Sequence, residues 1–369
     1  MKTIPFVHLE RKKSSGGAGQ VKDFSVFDFN YIPDEPMLRD EGKHLVREMV
    51  RFESTGIPTH QVILGTKGSG KTLTVKHLQK VMNAETELKV IYANCREHNT
   101  SFKIFAHFLD MQARGASLCE LYDHFCQKYR GKVVVLLDEV DLMSPKDKRR
   151  DILYFLSRSQ NPYMVIMLSN NYRVLHELDE STMSTLQPRT VSFKGYDAQQ
   201  LQDILRDRAR QGLHNHDEGL LAQIAALTTK RTKSDPRVAI KTLFYAVTEA
   251  HPNIETCFER AREDIVVEMI NNLSESLLMI LRAIATSPSD FAKEIYRRYC
   301  QVCSARQEKP FSYVHYYANL SYLQSMGLIA LIATKVACTY ANRLILTFDP
   351  SVLETIFQLR FANERGAWS

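Results

Sequence analysis

The sequence predicts an α/β protein: a parallel sheet built around a P-loop, then a helical lid, then a winged-helix domain. Three observations carry this. From Gln61 to Leu78 an apolar strand breaks into a glycine loop and then a helix, QVILGTKGSGKTLTVKHL. Apolar runs near Gln61 to Leu64, Leu88 to Asn94, Val133 to Leu137, Tyr163 to Leu168 and Thr190 to Phe193 alternate with helical segments such as Phe102 to Met111 and Lys148 to Ser157. Such alternation implies parallel strands covered by helices. Past Phe193 the strand signal ceases, and the chain reads as helices that end in two β-like runs. The expected domains are a leader over 1–25, a nucleotide-binding core over 26–194, a helical lid over 195–262 and a winged helix over 263–369.

Within the glycine loop, Gly65, Thr66, Lys67, Gly68, Ser69, Gly70, Lys71 and Thr72 satisfy G-x-x-x-x-G-K-[ST]. Glycines let backbone N–H groups turn inward around a phosphate at little steric cost. Lys71 is then expected to reach the outer phosphates and Thr72 to ligate Mg2+, with the helix directing its positive dipole end at the anion. A nucleoside triphosphate site also needs an acidic strand end, and Val133-Val134-Val135-Leu136-Leu137-Asp138-Glu139 supplies one. An apolar, largely β-branched run of this kind is a strand buried on both faces. Asp138 is expected to hold Mg2+ and Glu139 to polarise the attacking water. Together these runs imply binding of ATP or GTP.

Ligands in parallel sheets lie at the carboxyl ends of the strands, which selects Ser169, Asn170 and Asn171 after the fourth strand. A side-chain amide there, that of Asn170, can orient the lytic water. Asn-Asn is also ordinary turn chemistry.

At 369 residues the chain is long enough for two or three domains. Hydrophobic content of 44% and charged content of 24% are those of a globular protein, and no apolar run reaches membrane-helix length. No signal-peptide core is present, so the chain is expected in the cytoplasm, without a membrane partner. Its seven cysteines follow no pairing pattern and read as reduced thiols. The single C-x-x-C, Cys300 with Cys303, lacks a second pair at zinc-finger spacing and reads as packing. Net charge is +6, and from Thr256 onward basic and acidic residues nearly balance, so the surplus lies upstream.

The leader carries Arg11, Lys12 and Lys13 before Ser-Ser-Gly-Gly-Ala-Gly and is expected to be flexible. Phe27 to Arg39 is irregular, rich in aromatics and prolines, and suited to packing against a nucleotide base. In the helical region Leu201, Ile204, Leu205 and Ala209 share a face, as do Leu220, Ile224 and Leu227. A further helix starts at Asp235-Pro236-Arg237, with an Asp cap and a first-turn proline. From the first turn, Arg237 can lean onto a γ-phosphate or simply be a solvated arginine.

In the tail, Leu273 to Ile284, Phe291 to Cys303 and Tyr313 to Met326 mark three helices, the last capped by Ser312 and ended by Gly327. Leu328 to Ile332 and Leu344 to Phe348 follow as a hairpin whose polar turn includes Lys335, Asn342 and Arg343. Three helices and a hairpin make a winged helix, whose third helix can enter a major groove. That helix presents Tyr313, His315, Tyr316, Asn319 and Tyr322. The candidate DNA contacts are Tyr313, His315 and Tyr316, with Lys335 and Arg343 supplying phosphate contacts from the wing. The near-neutral tail leaves protein docking as the alternative.

These pieces, from about Phe27 to about Phe348, resemble the archaeal origin-recognition and cell-division-control initiators of the AAA+ class. Tyr31-Ile32-Pro33 with Arg39 looks like the family's adenine-side segment, and Gly65 to Thr72 its Walker A loop. Asn94-Cys95-Arg96 with Thr100 is similar to its N-C-R…T motif, and Asp138-Glu139-Val140-Asp141 to its Walker B run. Ser169-Asn170-Asn171 resembles sensor 1, Tyr196-Asp197 the lid entry and Asp235-Pro236-Arg237 sensor 2. Ile295-Tyr296 with Tyr299, and Leu323 to Ile329, match the family's C-terminal part.

The resemblance implies tight holding of ATP or ADP with Mg2+, weak ATPase activity and binding of duplex DNA at replication origins. It further implies help in loading the minichromosome maintenance helicase, and a nucleoid-associated place beside other initiator paralogues. The chain departs from the family at 179–186, where the Asp-Pro-Arg arginine is absent, with Arg173 and Arg189 nearby. The DNA-touching insertion, near Ser101 to Gly115, carries Lys103, His107 and Arg114 but is not markedly basic. These departures suggest a diverged paralogue. The alternatives are a non-replicative AAA+ regulator and a protein-docking ATPase with a winged helix.

Overall fold

A computed structural model describes residues 21–28, 31–33, 36–112, 115–144, 147, 150–232, 234–249, 251–336 and 339–362. The chain divides into two compact units, one of residues 1–31 with 196–265 and the other of residues 32–195 with 266–369.

The larger unit holds a five-stranded parallel sheet of β1 (Gln61–Gly65), β2 (Lys89–Asn94), β3 (Val133–Asp138), β4 (Tyr163–Ser169) and β5 (Arg189–Phe193), in the order β2-β3-β4-β1-β5. All five are the expected strands, to within a residue at each end. β1, β3 and β4 are buried along their whole length, as strands covered on both faces must be.

The period-two pleat sorts their side chains into two cores. Val133, Val135 and Leu137 face one, with α3 (Ser101–Leu109), α4 (Leu118–Lys128) and α5 (Asp151–Ser157). Val134 and Leu136 face the other, with α1 (Asp40–Thr55) and α2 (Lys71–Glu85). The shortest of these helices, α5, begins at Asp151, while Lys148, the expected start, lies outside the described residues, and α6 (Glu180–Leu186) follows β4.

The same unit contains α11 (Glu275–Thr286), α12 (Ala292–Ser304), α13 (Tyr313–Ser325) and the antiparallel strands β6 (Ile329–Val336) and β7 (Thr339–Leu346). These are the three helices and the hairpin that the sequence predicts. Ser312 caps α13 by accepting the His315 N–H, and Gly327 follows it at φ +79°. The hairpin is longer than its apolar runs: Lys335, Asn342 and Arg343 lie within paired strands, opposite Tyr340, Ala333 and Ile332. They are not turn residues, because the strand pairing runs on to Val336 opposite Thr339. A last helix, α14 (Pro350–Ala362), rests on α11 through Arg282, which lies 3.9 Å above the Phe357 ring and 3.3 Å from Glu354.

The smaller unit holds α7 (Ala198–Gly212), α8 (Glu218–Arg231) and α9 (Pro236–Thr248), and the boundary near 265 falls inside α10 (Ile254–Asn271). Residues 1–20, including the basic run, lie outside the described residues. The end of the expected leader is anchored rather than loose: Val21 pairs with Leu213, and the Lys22 N–H donates to Gly212 O at 2.7 Å. Val26 and Phe27 are buried there, and a Cβ on Gly212 would lie 2.2 Å from Val26 Cγ2. Only glycine permits that approach. No helix of the described residues is long and apolar enough to cross a membrane.

His60, buried where β1 begins, accepts the Val165 N–H on Nδ1 at 3.0 Å, and its carbonyl accepts the Arg189 N–H at 2.9 Å. Burial pushes its pKa down to about 4. Between that value and the unfolded 6.5 only the unfolded chain takes up the proton, so stability is full above pH 6.5 and falls as pH drops toward 4. The loss should approach about 3 kcal/mol. His60→Asn, which keeps an acceptor, should flatten the fall of thermal midpoint between pH 7 and 4.5; an unchanged slope would reassign the acid sensitivity to another group.

Candidate nucleotide site

Parallel pairing brings the carboxyl ends of the central strands together: Asn94 lies beside Asp138, Leu64 beside Ser169, and Gly65 beside Phe193. The loop after β1 needs its glycines. Gly68 and Gly70 have φ of +84° and +83°, in the left-handed region that side chains rarely adopt. Gly65 is required by packing, since a Cβ there would meet Phe193 O at 2.5 Å.

Lys71 opens α2 and is buried. Its ammonium donates to Gly65 O at 2.7 Å, Thr66 O at 2.9 Å and Asn170 Oδ1 at 2.9 Å. Burial lowers its pKa to about 8, against the opposing pull of Asp138, Asp141 and Glu139. Thr72 Oγ1 donates to Asp138 Oδ2 at 2.7 Å, and Asp138 is 2% exposed. A threonine hydroxyl beside a buried carboxylate is the hard-oxygen set that Mg2+ takes, usually with waters and phosphate oxygens. The residues present therefore fit a metal-bound nucleotide.

Glu139 follows at φ +54°, a left-handed conformation that turns the chain out of the strand line into a 3-10 turn. Burial, then the Asp138 charge, raises its pKa, and Arg96 opposes the rise. Asp141 Oδ1 accepts from Ser169 Oγ at 2.7 Å and from the Asn170 N–H at 3.3 Å, which fixes the loop that aims Asn170 at Lys71. The Asn94-Cys95-Arg96 run has local reasons: Asn94 Oδ1 accepts the Arg96 N–H at 2.8 Å, and the Cys95 N–H extends the sheet to Asp138 O at 2.8 Å. Thr100 caps α3.

Arg39 clamps the loop from outside. Its guanidinium donates to Ser69 O at 2.6 Å and to Lys194 O at 2.9 Å, over the Phe193 ring. Pro33 is buried and Ile32 exposed in this unit. Tyr31, Tyr196 and Arg237 belong to the smaller unit. There the Arg208 guanidinium lies 4.6 Å from the Tyr31 ring centre, Tyr196 is buried, and Arg237 forks onto its own cap Asp235 at 3.0 and 2.5 Å.

The structure thus joins Gly65, Thr66, Ser69, Lys71, Thr72, Asp138, Asn170 and Arg39 in one site. Two contributors escaped sequence reasoning. Asp141 was visible only as part of an acidic run, and Tyr92, which donates to Asp138 Oδ2 at 2.9 Å, gave no local signal. Burial and the Asp138 charge push the Tyr92 phenol well above its ordinary pKa, so it remains a donor.

The candidate DNA residues diverge. Tyr313 is 42% exposed and His315 is exposed. Tyr316 is fully buried, its ring 5.1 Å from that of Tyr296 and 5.6 Å from that of Tyr299. As a core aromatic it cannot touch a groove, which corrects the sequence expectation. Arg343 pairs with Asp290, and Lys335 is described only by its place in β6. Arg114 lies outside the described residues. Cys303, the buried half of the C-x-x-C, packs its Sγ 3.6 Å from Met279 Sδ.

A family model described as an AAA domain matches residues 58–171. The ORC1-type DNA replication protein 3 of Sulfurisphaera tokodaii is 27% identical over 346 residues, covering 86% of this chain and 89% of that protein. The protein of the same name from Saccharolobus solfataricus is 28% identical over 357 residues, covering 88% of each. Among solved structures, Aeropyrum pernix ORC1 in complex with DNA superposes with a TM-score of 0.71 at 21% identity, covering 94% of this chain and 99% of that one. The ORC2 protein of the same organism, in ADPNP and ADP complexes, gives a TM-score of 0.57 at 24% identity, covering 93% and 100%. With a P-loop core of this strand order carrying the matched AAA domain, the chain is similar nearly end to end to archaeal ORC1-type DNA replication proteins.

Proposed function

We propose that this protein is an ATP-dependent initiator of DNA replication, which binds origin duplex DNA and helps recruit or load the minichromosome maintenance helicase. The observation that carries the reading is the joined set of Lys71, Thr72, Asp138 and Asn170 at the carboxyl ends of the sheet, in a chain similar along its length to ORC1-type replication proteins. Lys71 and the loop amides hold the phosphates. Thr72 and Asp138 hold Mg2+, which when bound offsets charge on the outer phosphates. Glu139 takes the proton of the attacking water and Asn170 orients that water. Arg237 reads the γ-phosphate, while Tyr31, Ile32, Pro33, Arg39 and Tyr196 form the base side. Turnover is slow and acts as a switch, which requires that ATP and ADP favour different arrangements, a coupling of about 1–3 kcal/mol. The protein works in the cytoplasm at the nucleoid, beside other initiator paralogues.

DNA is held through Tyr313, His315, Lys335 and Arg343 of the winged helix. The buried Tyr316 and the Arg343–Asp290 pair reduce the polar face available to DNA. They favour, as a second reading, a paralogue or regulator whose winged helix docks a protein.

Lys71→Ala should abolish retention of nucleotide through gel filtration, an affinity loss of about 2–3 kcal/mol. Glu139→Gln should bind ATP as wild type does and lose turnover by roughly 10²–10⁴-fold; hydrolysis by this variant at the wild-type rate would remove Glu139 from the mechanism. Purified protein with ATP, offered sheared genomic DNA at moderate salt, should recover a few discrete loci. Recovery should fall for Tyr313→Ala and Arg343→Ala, and affinity should drop steeply with salt. Negligible recovery at every salt concentration would favour the protein-docking reading.

A further inference from the structure

Neither phosphate binding nor hydrolysis, as assigned above, uses the Tyr92 hydroxyl. Tyr92 stands two residues before the end of β2, and the parallel register with β3 sets it near Asp138. Its hydroxyl donates to Asp138 Oδ2 at 2.9 Å, the oxygen that also accepts from Thr72 Oγ1 at 2.7 Å. The other oxygen, Oδ1, accepts the Glu139 N–H at 2.9 Å. Three donors from three elements therefore hold one buried carboxylate. The Tyr92 ring is itself steadied by Lys76, whose ammonium lies 5.0 Å from the ring centre.

The terminal torsion of an aspartate is broad and roughly two-fold, so hydrogen bonds must set the plane of its carboxylate. If Thr72 turns its oxygen lone pair toward a cation, its hydrogen can still point at Oδ2. We propose that Tyr92 is a positioning residue for Mg2+: by donating to Asp138 Oδ2 it fixes the carboxylate plane in which Asp138 and Thr72 together face the cation. Tyr92 then acts on metal affinity and not on nucleotide affinity. The inference rests on the assignment of Thr72 and Asp138 to Mg2+.

Tyr92→Phe tests it, because the ring and its cation contact stay while only the hydroxyl is lost, and Oδ2 keeps its bond from Thr72. Outer-shell partners of metal ligands typically contribute 10–100-fold to metal affinity. The Mg2+ concentration for half-maximal retention of a fluorescent ADP should therefore rise about tenfold or more. ADP affinity in excess EDTA should match wild type. A Mg2+-dependent wild type with an unmoved midpoint in Tyr92→Phe would overturn the role of Tyr92 alone. A loss of ADP affinity that is equal with and without Mg2+ would also overturn it, because the phenol would then serve packing. Wild-type retention that is insensitive to Mg2+ would remove the metal assignment of Thr72 and Asp138, and the role of Tyr92 with it.

Discussion

One buried ammonium, answered by carboxylates at the end of an apolar sheet, governs the larger unit. Lys71 is 7% exposed and Asp138 is 2% exposed. Charges taken this far from water are costly unless each is matched and hydrogen-bonded. The chain matches them by geometry: Thr72, next to Lys71, donates to Asp138 at the acidic end of β3, and Asn170 accepts from Lys71 just past β4, the strand between β3 and β1. Burial outweighs attraction, which leaves the ammonium with a pKa of about 8. Each carbonyl that Lys71 holds belongs to the loop itself, so the same cation that would meet phosphate also shapes the phosphate loop.

That dependence explains why the surroundings are so constrained. Gly65 cannot carry a side chain without striking β5, and Arg39 ties the same loop to Lys194 just past that strand. Asp141 fixes Asn170 through the Ser169 hydroxyl, and Tyr92 fixes Asp138 from β2. The site is a ring of supports around two charges. Removing one support leaves a buried polar group short of a partner rather than merely loosening a loop.

The fold was largely legible in the sequence for the same reason. Strands buried on both faces must be continuous apolar runs, so Val133 to Leu137 and Tyr163 to Leu168 declared themselves. Glycine spacing declared the loop, because few other residues tolerate its backbone. Less visible were elements whose signal is a cap or a stripe. Ser117 and Glu120 form a capping box for α4, and Leu353, Ile356, Phe357 and Phe361 line one face of α14. Both patterns stand in the sequence, yet neither adjoins a motif. Tyr92 is a different case, because its partner is forty-six residues away and only strand register brings them together.

The winged helix shows where periodicity stops. Tyr313, Tyr316 and Tyr317 recur at helical spacing, and spacing alone gives each the same claim on a groove. Packing separates them: Tyr316 enters a cluster with Tyr296 and Tyr299, while Tyr313 covers its edge and keeps 42% of its surface exposed. An aromatic cluster of this kind fixes the helix against α12. Contacts to backbone phosphates add affinity through charge rather than through tyrosine. The Arg343–Asp290 pair therefore matters more than the helix sequence, since an arginine held by its own domain must exchange that carboxylate for a phosphate before it contributes.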